Sequence, residues 1–129
     1  MLRRVIYASE AVGTTGVSTL SIAQILGVSE PNNRRDHLTS CVMLHRGHIL
    51  QAIEGERNDV DRLMQRLMRD PRHTGLRILS DAPVASRRLE SPMTLCPDPA
   101  AMLQRIGLPC ISRITAPLAE SMLDMDLAA

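Results

Sequence analysis

Leu38-Thr39-Ser40-Cys41-Val42-Met43-Leu44-His45-Arg46-Gly47-His48-Ile49-Leu50-Gln51-Ala52-Ile53-Glu54 reads as two strands folded on a two-residue turn. Leu38 to His45 is one arm and His48 to Glu54 the other, with Arg46-Gly47 supplying the glycine that a tight hairpin favours. Toward the N-terminus, Leu2 to Ala8 is a further strand. Ala11 to Gly16 is a small-residue loop. Ser18 is placed to cap a helix through Leu20, Ile22, Ala23, Ile25 and Leu26, ended by Gly27. Residues 29–37 are polar and turn-like. Toward the C-terminus, Asn58 is placed to cap a second helix, whose Val60, Leu63, Met64, Leu67 and Met68 keep helical spacing until Asp70-Pro71. Leu76 to Leu79 predicts a fourth strand. Leu89 to Leu95 predicts a fifth, confined by Pro92 to an edge or a bulge.

The order β-α-β-β-α-β-β is that of the split β-α-β arrangement. The expected fold is α+β: a ferredoxin-like five-stranded mixed sheet with two helices on one face, plus a short C-terminal helical tail. Helical segments near Pro99 to Ile106 and Leu118 to Leu127 make the tail. The expected division is residues 1–97 as the main domain and 98–129 as a cap that covers the other face or mediates association.

Composition narrows the function. The chain has 129 residues, one Tyr, no Trp and no Phe. Its core must therefore be aliphatic, with eight Met as adaptable filler. Net charge is +1, so no strong field draws it to nucleic acid or an anionic membrane. All fifteen basic residues are Arg, which removes lysine Schiff-base and P-loop chemistry. Cys41, Cys96 and Cys110 form no CxxC pair and read as reduced thiols. With no apolar signal core and no run of membrane-spanning length, the expected location is the cytoplasm.

Two polar residues stand out on strands. Tyr7 ends the first apolar run, and Gln51 lies inside Ile49 to Ile53. A strand Tyr commonly packs its ring and bonds its hydroxyl. A buried amide is the stronger signal, because it must find partners. His37, Cys41 and His45 are too widely separated for a tetrahedral metal site, and no further Cys/His pair completes one. No nucleophile-elbow motif is present. Glu54 and Glu56 lack the aromatic platforms of a sugar cleft, and base stacking lacks faces on this sheet.

Five stretches in order resemble the BLUF family, the blue-light sensors that use a flavin. They are Arg4-Val5-Ile6-Tyr7-Ala8-Ser9, Asn32-Asn33, Leu50-Gln51-Ala52-Ile53-Glu54-Gly55-Glu56, Arg69-Asp70-Pro71-Arg72-His73 and Ser91-Pro92-Met93. The resemblance covers residues 2–95. It implies FAD, or FMN, held noncovalently between the two main helices. It places Tyr7 at the photoactive tyrosine and Gln51 at the glutamine bridging it to the ring. Asn32 and Asn33 fall at the pair of positions around the flavin, the second anchoring the ring's polar edge, Arg66, Arg72 and His73 beside the ring and its side chain, and Ile25 and Leu67 on its faces. Met93 falls at the signalling methionine. A phenol donates an electron and a proton, and a carboxamide carries donors and an acceptor, so turning it rewires hydrogen bonds without breaking covalent ones.

The chain departs from the family pattern. Its usual Gly-Ile-Thr-Gly reads His37-Leu38-Thr39-Ser40, its Phe reads Ile49, and its Trp reads Ser91. Each lost Gly adds a side chain where backbone or cofactor approaches closely. The implied function is a non-enzymatic photoreceptor that signals to a separate protein partner or through a change of homo-oligomeric assembly, without nucleic acid, membrane or metal. The alternative is a flavin-free adaptor of the same fold.

Overall fold

The computed structural model describes residues 1–11, 31–70, 73–96 and 98–123. The elements are β1 (Leu2–Ala11), β2 (Thr39–His45), β3 (His48–Glu56), α1 (Arg57–Arg69), β4 (His73–Pro83), β5 (Thr94–Leu95), α2 (Pro99–Arg105) and α3 (Ala116–Leu123), with one 3-10 turn at Ile111–Arg113. The expected helix from Ser18 to Gly27, and with it Ile25, lies outside the described residues, as does Arg72.

The strands form one sheet in the order β4-β1-β3-β2-β5. β3 is central, β1 is antiparallel to both β3 and β4, and β5 runs parallel to β2. The β2–β3 hairpin closes as expected. Arg46 and Gly47 both take positive φ, 50° and 79°, the mirror-image turn whose twist matches that of paired strands.

Strand alternation divides the core in two. Val5, Tyr7 and Ile53 face α1, where they meet Val60 and Met64. Ile6, Ala8, Leu50 and Ala52 face the opposite way, onto Met102 and Leu103 of α2, Ile111, Ile114, and Ala119 and Met122 of α3. The C-terminal helices therefore cover the sheet face that α1 leaves open. Ile53, Val60 and Ile111 are fully excluded from solvent, and burial of such side chains contributes roughly 1.5–3 kcal/mol each.

Several expectations are corrected. Residues 31–35 are helical rather than turn-like. That stretch ends in a paired closure: the Leu38 N–H donates to Asn33 O at 2.9 Å and the His37 N–H to Arg34 O at 3.3 Å. His37 sits between them at φ 56°, the left-handed position usually given to Gly. Asn58 does not cap α1; Glu56 occupies that position without a side-chain hydrogen bond. β4 runs eleven residues, not four, because register shifts between Ile6 and Tyr7 and between Ala8 and Glu10 keep it paired along β1. β5 shrinks to two residues, since Pro92 has no N–H for the ladder.

Gly55 is required by close approach. A Cβ built there would stand 2.5 Å from Leu38 Cδ2.

Candidate functional site

Tyr7 and Gln51 are direct partners in the β1–β3 register. Both side chains face α1, and the Tyr7 hydroxyl donates to Gln51 Oε1. They are 2% and 6% exposed, so the bond is shielded from competing water. Burial, and secondarily the charge of Asp70, raises the Tyr7 phenol above its ordinary value. The phenol is therefore a neutral donor, and it claims the oxygen end of the Gln51 amide. The amide nitrogen carries two N–H donors.

His73 braces this pair. Its ring meets that of Tyr7 edge-on, with centroids 6.1 Å apart at 63°. Nε2 lies against the Leu67 carbonyl on α1, which requires a proton on that nitrogen, and Nδ1 pairs with Ser9 Oγ at 2.8 Å. His73 thus ties the start of β4 to both β1 and the helix end. Leu67 packs partly buried onto the same core.

A second cluster lies on the same sheet face. Asn33, 2% exposed, donates through Nδ2 to Pro92 O at 2.9 Å and to Ser40 Oγ at 3.3 Å. Ser40 Oγ lies 3.0 Å from Pro92 O and 3.3 Å from Met93 Sδ. Asn32 accepts from the Asp36 N–H through its backbone oxygen.

Arg66 sits apart from both clusters. It lies 3.5 Å from Asp36 and lines an open groove of about 900 Å³ with Arg35, Asp36, Arg62, Gln65, Arg69 and Asp70. Guanidinium groups are planar, bidentate ligands suited to phosphate.

The donor set fits a flavin. A carboxamide whose oxygen is held by a phenol, with a second buried amide on the same sheet face, suits the alternating donors and acceptors of the ring's polar edge. The arginine groove matches the charge of a phosphorylated side chain.

Sequence reasoning missed three residues. Glu54 was set aside as a strand-end acid, yet it is wholly buried. Its Oε2 accepts from Arg4 at 2.8 Å, and its Oε1 accepts the N–H groups of Arg88 and Leu89, each at 2.8 Å. Arg4 reaches on to Glu120 of α3 at 3.2 Å, and Glu120 also accepts from Ser80 at 2.9 Å. Arg87 clamps the same end of the sheet, donating to His37 O at 2.8 Å and to Thr39 Oγ1 and Glu54 O at 3.0 Å. The parity of Glu54 with Ala52 and Leu50 was the available signal, since it turns the carboxylate inward.

No cluster of three metal-ligating side chains occurs among the described residues. Among them, too, no helix is long and apolar enough to cross a membrane.

The family model described as "BLUF: Sensors of blue-light using FAD" matches residues 2–93. A photoactivated adenylate cyclase subunit beta-like protein from Euglena gracilis is 30% identical over 86 residues, covering 67% of this chain. The chain spans only 10% of that relative's length. Among solved structures, BlsA in its ground state superposes with a TM-score of 0.86 at 18% identity, covering all of this chain and 89% of the other. BlrB, a BLUF protein in its dark state, gives 0.73 at 23% identity, with 96% and 97% covered. At those identities the two structures speak for the fold alone.

Proposed function

Because this chain belongs to the BLUF family, the sensors of blue-light using FAD, we propose that it is itself a blue-light receptor holding a flavin noncovalently against Tyr7 and Gln51. The observation that carries the reading is the buried Tyr7–Gln51 hydrogen bond on the α1 face. The family is one of sensor modules, and no catalytic turnover is assigned to the chain.

When bound, flavin supplies an acceptor that blue light makes strongly oxidising. Tyr7 would give an electron to that acceptor, its hydroxyl proton passing to Gln51 Oε1 while an amide proton passes on to the same acceptor. Gln51 would turn or tautomerise as electron and proton return to Tyr7, leaving a donor where an acceptor stood. In a buried site a mismatched amide costs about 1–3 kcal/mol, enough to favour a new arrangement of neighbours. Asn33 anchors the polar edge, with Asn32 beside it. Ile25 and Leu67 flank the ring. Arg66, Arg72 and His73 hold its side chain and rim. Met93 carries the change toward residues 98–129, which act as a cap on the domain of residues 1–97. The arginine groove favours FAD over FMN, because a diphosphate uses more of its guanidinium groups. Output passes to a separate protein partner or to a change in homo-oligomeric assembly, in the cytoplasm.

The test is a visible spectrum of the purified protein after incubation with excess FAD, before and after blue illumination. Bound-flavin bands that shift to the red and return in the dark are expected. Absence of flavin bands would favour a second reading, a flavin-free adaptor. That reading draws on the Asn33 amide, which is already engaged by Ser40 and Pro92.

A further inference from the structure

We propose that Ser40 is a positioning residue that arbitrates between Asn33 and Met93, so that the state of the amide at Asn33 sets whether Met93 is held. The proposal rests on the light reading above for its function but not for its geometry.

Ser40 is 1% exposed and points to the α1 face of β2, two positions from Val42, which pairs with Gln51. Its Oγ has three neighbours: Asn33 Nδ2, which donates to it, and two acceptors, Pro92 O at 3.0 Å and Met93 Sδ at 3.3 Å. A hydroxyl has one proton to give. It therefore bonds Pro92 or Met93, not both at once. Asn33 decides which, because its own amide also reaches Pro92 O, at 2.9 Å. With that amide in place, one lone pair of the Pro92 carbonyl is already served, and the Ser40 proton is available to the Met93 sulfur. When the amide is drawn to another acceptor, Ser40 becomes the nearer donor left for Pro92, and Met93 loses its partner.

The arrangement spans three distant parts of the chain. Asn33 lies within the helical residues 31–35, Ser40 lies in β2, and Pro92-Met93 leads into β5. A second bond, Ser40 N–H to Ser91 O at 3.1 Å, keeps the backbones together while the hydroxyl turns. A rotor of this kind changes partner without moving a strand. That suits a residue on a tightly packed face, where backbone displacement is costly.

The test uses the full flavin-loaded chain with Ser40→Ala, and Ser40→Cys as a near-isosteric variant that keeps a weak donor. In the dark, methyl NMR follows Met93, identified as the resonance missing from Met93→Leu, and amide NMR follows the Asn33 side chain. Ser40→Ala should displace the Met93 methyl resonance and speed solvent exchange of the Asn33 amide protons by roughly tenfold, the weight of one lost hydrogen bond. Ser40→Cys should fall between. After illumination, both variants should keep the amplitude of the spectral shift while the dark return changes several-fold. Unchanged Met93 and Asn33 resonances would overturn the proposal, as would an unaltered dark return in a variant that still shifts. A wild-type protein with no spectral shift would count against the light reading instead, and the dark resonances would then decide this one.

Discussion

Arg4 and Glu54 form a buried ion pair on the sheet face opposite Tyr7 and Gln51, although each lies only three residues from one of them. Strand alternation makes this possible: residues three apart project to opposite sides. The same two strands therefore carry the Tyr7–Gln51 hydrogen bond on one face and, on the other, a carboxylate that reaches the 88–89 backbone and an arginine that reaches α3.

Removing one partner of that pair should be expensive. Glu54→Ala removes the nearest carboxylate of Arg4 and the side-chain acceptor of two backbone N–H groups. A loss of about 3–5 kcal/mol in unfolding free energy is expected, read by chemical denaturation. Glu120→Gln, at a half-exposed site, should cost no more than about 1 kcal/mol.

Tyr7→Phe should bind flavin yet show no reversible spectral change on illumination. An unaltered photocycle would remove Tyr7 as the electron donor. Gln51→Leu should freeze the spectrum in the same way. Tyr7→Phe should also lower stability by about 1–3 kcal/mol, because Gln51 Oε1 loses its buried donor.

Alkaline titration has an unusually clear reporter here, because the chain has a single Tyr. The folded state raises the phenol above the ordinary value of about 10. Below pH 10 both folded and unfolded states keep the proton, and the contribution is complete. Above it the unfolded chain releases a proton that the fold retains, so stability falls as pH rises toward the folded value. Phenolate absorbance should therefore appear late and together with unfolding, and Tyr7→Phe should flatten the stability decline above pH 10.

His37→Gly should stabilise the protein by about 1 kcal/mol, since a side chain at left-handed φ pays a steric cost that Gly avoids. Thermal unfolding reads this directly.

Gly55→Ala should cost about 1–3 kcal/mol by forcing Cβ against Leu38. Combining it with Leu38→Val, which shortens the opposing side chain, should cost less than the two changes added together.

The hairpin and the order of the described strands were legible in the sequence because they follow from local alternation and turn chemistry, whereas the pairing of Tyr7 with Gln51, 44 residues apart, was implied by the family resemblance. Residues 31–35 were misjudged because polar residues at a helix end resemble a turn until the Leu38 N–H is seen returning to Asn33. Asn58 was misjudged by one turn of logic: an Asn near a helix start need not be the cap when the preceding strand runs straight into it. The Ser40 cluster was illegible for a different reason. Its partners are 7, 52 and 53 residues away, so no local pattern announces them. Ser40 registered only as a departure from glycine. Glu54 required both its parity and the path of residues 84–93, which carries little periodic signal.

The chain offers Tyr7 no second phenol and no indole to which a hole could hop. On the light reading proposed above, an oxidising equivalent created there would have no phenol or indole relay to the surface and would be refilled where it arose. Such isolation would favour repeated cycles over photobleaching and leave the geometry around one buried phenol in charge of how quickly each cycle closes.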